Sequence, residues 1–294
     1  NCPGKDSEYI DYPAYAKRID PNPRAEGFVT DENKDQYPEL GNNRVGVSMQ
    51  YVGREPRFYA SVAYNGSTWY LLNEPNDANK DKQIFYYRGG GNGYTNTMFW
   101  LRTGIGVMKF VHPDDTNRDE KEEYIRKKAE PAIRYAEILL IYAEALNELT
   151  GNYNIASWDE ETQYTIQRNI DEMKKGIQPI RIRAGIPDYT RSEYEDQDLF
   201  REKLKRERQI ELMGEGHRYY DIRRWKDAEV EESLPIYGCN TLMTEKWRDV
   251  FHVPVAIPSL PTNFSRKMYF WPISHSELKR NKMLTQNPGW TYND

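Results

Sequence analysis

The chain has 294 residues, with 41 basic and 46 acidic side chains and a net charge of −5. That length holds one large domain or two smaller ones. The acidic balance excludes a nucleic-acid binder, which needs an excess of Lys and Arg on one face. The 23 tyrosines, 9 phenylalanines and 7 tryptophans exclude a chain that is disordered by composition. Tyrosine couples an apolar ring to a polar tip, and so suits wet, stacking, partly exposed surfaces.

Residues 1–57 are rich in Pro, Gly and Asn and read as a loop-rich lead-in with short helices. The segment 58–111 reads as short strands with many aromatics. Within 58–72, aromatic and β-branched residues flank Asn65-Gly66, the dipeptide that favours positive φ in a two-residue hairpin turn. A second strand pair, 84–88 and 106–111, brackets the glycine run 89–93. From Pro131 the period becomes helical. Ile133, Ala136, Leu140, Ala143 and Leu146 recur on one face. A helix is expected over 131–150 and a second over 159–175, ended by Gly176, with a new turn started by Pro179. Thr190 and Glu193 form a capping box for a long helix running to about Asp227. Residues 228–266 read as irregular, and Ser274 with Glu277 caps a short helix after them. No apolar stretch is long enough to span a bilayer: Ala136–Leu146 is interrupted by Glu137 and Glu144.

Motifs for common chemistries fail. There is no Walker loop, no G-x-S-x-G, and the run Gly89–Gly93 opens no helix. Ser276 to Lys279 spells S-x-x-K without companion motifs. His112, His217, His252 and His275 are scattered, without zinc-binding spacing. Two D-x-N-x-D strings, from Asp31 and from Asp115, lack the Gly and Glu of a calcium loop. They read as hydrated acidic turns. No cofactor is expected. Cys2 and Cys239 are too few for a disulfide framework. One long-range disulfide and two unrelated thiols both remain open.

Glu207, Glu211 and Glu215 lie at i, i+4, i+8. Carboxylates on one helix face could serve glycoside hydrolysis, with Glu211 and Glu215 as acid and base. The competing reading is an ionic lattice. Arg208 can reach Glu211, Arg218 can reach Glu215, and Arg224 can reach Asp221, each at i, i+3. The 10 basic and 11 acidic residues of 191–229 nearly balance, which favours the lattice.

The aromatic run is the better functional signal. Flat rings meet the C–H faces of sugars, and amides meet the hydroxyl rims. The candidates for ligand contact are Tyr37, Tyr64, Trp69, Tyr94, Asn96 and Trp100. Packing of alternate strand aromatics onto the helices is the competing explanation.

Six ordered strings then carry a resemblance: REPRFYASVAYNG (54–66), TGIGVMKFV (103–111), IRYAEILLIYAEALNE (133–148), IRIRAGIP (180–187), ERQIELMGEGHRYYDIRRW (207–225) and FWPISHSELKRNKMLTQNPGW (270–290). In this order they resemble the C-terminal half of SusD/RagB-family lipoproteins of Bacteroidetes. Glu55 stands where that family usually has Asp. Gln178-Pro179 replaces an Asn-containing stretch.

The resemblance implies a mainly α fold of tetratricopeptide-like helical hairpins with a loop-rich segment of short β-hairpins. It implies one C-terminal domain over 1–294, in which 131–227 is the helical part and 228–294 the irregular end. Family members are about twice as long, and no start methionine is present. The N-terminal half, with its signal peptide and lipid-bearing cysteine, is therefore expected to be missing, and apolar faces near Ile133, Leu140 and Ile170 are expected to be bare.

The implied role is non-catalytic. It is capture of an oligosaccharide, or of a peptide, at the outer-membrane surface for a SusC-like TonB-dependent transporter. Membrane contact would come only through the lipid anchor, and no nucleic acid is involved. The family's motif residues Arg57, Glu207, Arg208, Glu211, Glu215, His217, Arg218, Asp221 and Arg224 are implied to be fold determinants, not ligand contacts.

Overall fold

A computed structural model describes residues 27–291 apart from 75, 96, 97, 99, 118–122, 130 and 261. The front of the chain runs through short 3₁₀ turns to helix α1 (Pro56–Ser61), where Pro56 occupies the first turn. Strand-like composition at 58–61 is thus overridden. Strand β1 (Val62–Ala63) follows, then Asn65-Gly66, then β2 (Ser67–Tyr70). These two strands do not pair with each other. β2 pairs with β3 (Asp81–Ile84), and β1 pairs with β4 (Gly106–Val107), both antiparallel.

The expected hairpin at Asn65-Gly66 and the expected pairing of 84–88 with 106–111 are therefore both replaced. The cause is local. The buried Asn65 side chain accepts the Tyr86 N–H at 2.7 Å, and Gly66 N donates to the Ile84 carbonyl at 2.8 Å. The turn is thereby tied to the far strand, and Gly66 takes the positive φ of +87° that this requires. A short ladder joins β5 (Thr116–Asn117) to β6 (Glu123–Tyr124). Two small cores lie beneath this region. One packs Val29, Val47 and Tyr64 around Tyr51. The other packs Tyr86, Tyr87 and Cys239 around Phe251.

Helix α2 (Tyr135–Asn147) buries Ala136, Leu140, Ala143 and Leu146 at the expected spacing. The next helix starts later than its sequence pattern suggests. Residues 153–166 form an exposed hairpin, β7 (Tyr153–Ala156) against β8 (Gln163–Ile166). Helix α3 (Ile170–Arg183) begins where the Asn169 side chain accepts the Glu172 N–H. It does not stop at Gly176, nor does Pro179 break it. A Cβ at Gly176 would lie 2.5 Å from the Leu139 carbonyl and 2.9 Å from the Ala143 Cβ, so this glycine is the contact point of α3 on α2. Pro179 is on the exposed side, where the carbonyl it leaves unbonded can meet water.

The capping box of Thr190 and Glu193 opens α4 (Arg191–Glu195) as expected. The single long helix does not follow. Asp196 is extended and caps α5 (Gln197–Glu211) by accepting the N–H groups of Asp198 and Leu199. Gly214 and Gly216, at φ of +78° and +82°, then turn the chain into α6 (His217–Arg224). Helix α7 (Ala228–Glu231), strand β9 (Tyr237–Gly238), helix α8 (Arg248–Phe251) and strand β10 (Val255–Ala256) follow, with β9 paired to β10. Ser274 caps α9 (His275–Arg280). The molecule is mainly α. Helices α2 and α3 form a helical hairpin, α5 packs on α2, and short strand pairs lie in the loop-rich parts. Among the described residues no helix is long and apolar enough to cross a membrane.

The helix faces are mixed. Leu140 is fully buried and Ile170 half-buried, but Ile133 is 68% and Tyr135 75% exposed. Ile138 and Ile141 on α2 are also exposed. Cys239 is a free, buried thiol that burial pushes up to about 11. Cys2 lies outside the described residues.

Candidate ligand surface and the ionic lattice

The charged residues of the family strings converge at the meeting of α1, α3, α5 and the start of α2. Arg57 on α1 binds Glu55 at 2.8 Å, Glu207 at 2.7 Å and Glu211 at 3.1 Å. Arg181 reaches the other oxygen of Glu207 at 2.8 Å, and Arg183 reaches Glu211 at 2.5 Å. Arg134, just before α2, binds Glu211 at 3.0 Å and Glu215 at 2.7 Å. Lys109 completes the group by donating to Glu215 at 2.5 Å and to the carbonyls of Glu211 and Met213.

A second node holds Arg208 and Asp221, paired through two bonds of 3.0 Å. Arg224 joins Asp221 at 2.8 Å and also pairs with Glu144, which accepts the Trp225 indole N–H at 2.7 Å. His217 lies 3.4 Å from Glu137, and Arg218 pairs with Glu231. Of the three expected i, i+3 pairs, only Arg224 with Asp221 forms. Arg208 and Arg218 turn to partners on other turns and helices. The lattice is tertiary because α5 ends at Glu211 and the chain bends away.

This arrangement bears on catalysis. Burial pushes the Glu211 carboxyl up, but Arg183, Arg134 and Arg57 outweigh it and hold it below the ordinary range. Glu215 is likewise raised by burial and more strongly lowered by Arg134 and Lys109. A glycosidase acid must keep its proton near neutral pH, and these two carboxylates are held ionised. A cavity of about 360 Å³ opens beside the second node, lined by Glu144, Asn147, Glu148, Arg201, Lys205 and Trp225 among others. Glu148 binds Arg201 at 2.7 Å and Glu144 is occupied as above, so its polar groups are largely spent on one another. The D-x-N-x-D strings are partly engaged: Asp31 pairs with Lys34 at 2.9 Å, and Asp119 lies outside the described residues. Asn33 accepts the Thr30 N–H, and Asp115 accepts from His112 and Arg126 backbone N–H groups and from Lys128. Among the described residues no cluster of metal-ligating side chains occurs.

The aromatic candidates separate. Tyr94 and Trp100, both half-buried, meet edge to face at 5.3 Å and 87°. The Arg88 guanidinium lies 6.0 Å from the Tyr94 ring. Trp69 is half-buried on the core of Tyr86 and Phe251. Tyr64 departs from expectation. It is 2% exposed, with the Tyr51 and Phe58 rings at 4.6 and 5.3 Å, and is a core residue. Tyr37 is half-buried at the margin of that same core. Asn96 lies outside the described residues. The structure thus brings together Tyr94, Trp100 and Arg88. Sequence reasoning passed over Arg88; Tyr70 belongs to the aromatic run but not to the six candidates, and is 40% exposed. The period-two alternation of β2 turns Tyr70 outward as it turns Trp69 inward. Trp158, at the β7–β8 turn, is 95% exposed and sits in no motif.

Comparison with known proteins agrees with this architecture. Residues 14–290 match the SusD family, and the chain belongs to it. Over 162 residues it is 31% identical to SusD-like protein P2 of Formosa agariphila, a match covering 54% of this chain and 25% of that protein. The solved structure of BT4246 is similar with a TM-score of 0.69 at 25% identity, covering 83% of this chain and 38% of that one. A SusD-like protein (BF3747) from Bacteroides fragilis NCTC 9343 is similar with a TM-score of 0.60 at 25% identity, covering 82% and 40%. The matched part is a quarter of the curated relative and about two fifths of the solved chains.

Proposed function

We propose that the chain is the C-terminal domain of a non-catalytic protein that captures oligosaccharide at the outer-membrane surface and delivers it to a SusC-like TonB-dependent transporter. A lipid anchor on a preceding segment would hold it to the membrane. Family membership supports the class. The observation that carries the ligand is the Tyr94–Trp100 pair with Arg88 beside it, aromatic faces and a hydrogen-bond donor on a loop. Such a pair offers a ring face to the C–H side of a sugar and a charged donor to its hydroxyls. The lattice carboxylates support binding over turnover, because Glu211 and Glu215 are ionised and tied to cations.

The test is isothermal titration of the full-length protein against plant glycans, host glycans and peptides. Trp100→Ala and Tyr94→Ala are expected to weaken the confirmed ligand by roughly tenfold, the scale of one lost aromatic contact. Unchanged affinity in both variants removes this site. A peptide as the tightest ligand replaces the sugar reading. Shorter sugars appearing on long incubation restore the enzyme reading.

A further inference from the structure

The glycine run 89–93 matches no nucleotide loop, but it sets the geometry of the Tyr94 surface. Its amides fold it back on residues 85–87. Gly90 N donates to the Tyr87 carbonyl at 2.9 Å, Asn92 N to the Phe85 carbonyl at 3.1 Å and Gly93 N to the Gly90 carbonyl at 3.1 Å. A Cβ at Gly90 would lie 2.6 Å from the Phe85 carbonyl oxygen, and one at Gly93 would run into that of Tyr87. Glycine lets the backbone lie this close. Arg88 and Tyr94, at the two ends of the run, are thereby held side by side, with the guanidinium 6.0 Å from the ring and Trp100 edge to face with Tyr94.

The charge of this part of the chain differs from the rest. Residues 82–113 contain no Asp or Glu, although the whole chain has 46 in 294 residues, a frequency that would place about five there. The segment carries Lys82, Arg88, Arg102 and Lys109. Lys109 belongs to the lattice through Glu215. Lys82, Arg88 and Arg102 are exposed, and among the described residues none of them is paired with a carboxylate. By contrast, Arg57, Arg134, Arg181 and Arg183 each hold a carboxylate within 3.1 Å. Arg102, two residues past Trp100, donates to the Ser259 carbonyl at 3.2 Å, and the stretch 250–276 around Ser259 is also without Asp or Glu. Across the bridge of Arg88 with Thr244 lie Glu245 and Asp249, matched by Lys246 and Arg248, so the local excess stays positive.

An acidic chain that keeps one aromatic surface free of acids and leaves its arginine unpaired is complementary to an anion. A neutral sugar would use the rings and take Arg88 as an ordinary hydroxyl donor. A sugar that bears a carboxylate or a sulfate ester adds charge-assisted bonds, and the planar guanidinium can hold two of its oxygens at once.

We propose that the Tyr94–Trp100 surface selects an anionic glycan, whose uronate carboxylate or sulfate ester docks on Arg88 while the sugar ring lies against the aromatic pair. The proposal rests on the glycan-capture reading and adds to it the substrate class.

The test is calorimetry of the full-length protein with two matched pairs: trigalacturonate and its methyl ester, and a sulfated galactan oligomer and its desulfated form. Each pair keeps the sugar and deletes the charge. In at least one pair the charged member should bind about fivefold tighter, and the advantage should shrink as salt is raised. A preference in the first pair alone assigns a uronate, and in the second alone a sulfate ester. Arg88→Gln should remove the preference and Arg88→Lys should keep part of it. Arg191→Gln changes the net charge equally at an exposed arginine paired with Glu195, and should leave the preference in place. Equal affinities within both pairs, with binding still lost in Trp100→Ala, overturn the anionic class and leave glycan capture standing. A preference that survives Arg88→Gln overturns the docking on Arg88. No saccharide bound in either pair overturns both readings, and an oligoglutamate peptide bound instead, with loss in Arg88→Gln, gives the surface to acidic peptides.

Discussion

Gly176→Ala separates two effects of opposite sign. Alanine is the better helix former by about 1 kcal/mol, and position 176 is inside α3. On propensity alone the variant is stabilised. The packing says otherwise. The added Cβ would lie 2.5 Å from the Leu139 carbonyl and 2.9 Å from the Ala143 Cβ, closer than van der Waals contact allows. The Leu139 carbonyl belongs to the backbone of α2 and cannot swing away, so α2 and α3 must separate. That movement opens the seam among Ala143, Met173 and Ile177, all fully buried. Overpacking of this kind costs about 1–3 kcal/mol.

The net expectation is a loss of up to about 2 kcal/mol, after the propensity gain is subtracted. At about 2–4 °C per kcal/mol for a chain of roughly this size, the melting midpoint should fall by a few degrees. Urea titration and thermal melting of parent and variant measure it. Gly151→Ala is the control, since no atom lies within 4 Å of its Cβ, and should change stability by less than about 0.5 kcal/mol. A Gly176→Ala variant more stable than the parent would refute the close-contact explanation.

Glu211→Gln removes the charge shared by Arg57, Arg134 and Arg183. Breaking a buried pair costs about 3–5 kcal/mol, and the exposure of Arg183 places the expectation near 3, read by urea denaturation. A loss below 1 kcal/mol would show the lattice to be decorative. Acid titration tests the same group. Glu211 and Glu215 have folded pKa values below the 4.5 of a free glutamate. Their contribution is fully present above pH 4.5 and is lost as pH falls through the folded values. Stability measured by denaturation should therefore decline below that point, and Glu211→Gln should flatten the decline. An equally steep acid limb in the variant would refute this assignment.

The bare apolar residues of α2 bear on the length of the relatives. Tyr135, Ile138 and Ile141 are exposed on the side of α2 away from Leu140 and Ala143. A helix apolar around most of its circumference is normally buried on several sides. The solved relatives are more than twice as long as the part matched here.

What the sequence determined by itself lies in local signals. The helical period placed the buried face from Ala136 to Leu146, although α2 starts at Tyr135 rather than Pro131 and Ile133 is exposed. Thr190 with Glu193, and Ser274, marked helix starts because a cap is satisfied within one turn. The balance of charge in 191–229 pointed to a lattice, since that many acids and bases must pair when the chain compacts. The tertiary structure decided which pairs form. Arg208 and Arg218 left their i, i+3 neighbours for Asp221 and Glu231, because two glycines bend the chain after α5. It also decided that Gly176 would be a contact instead of a stop. A glycine's tolerance of close approach is invisible until the neighbouring helix is in place. The aromatic run shows the same limit. Fifteen residues of tyrosine-rich sequence look alike by composition, yet burial sends Tyr64 into a core and leaves Tyr70 at the surface. Which rings remain available to a ligand follows from how the strands pair, and β1 and β2 chose partners that no local turn signal named.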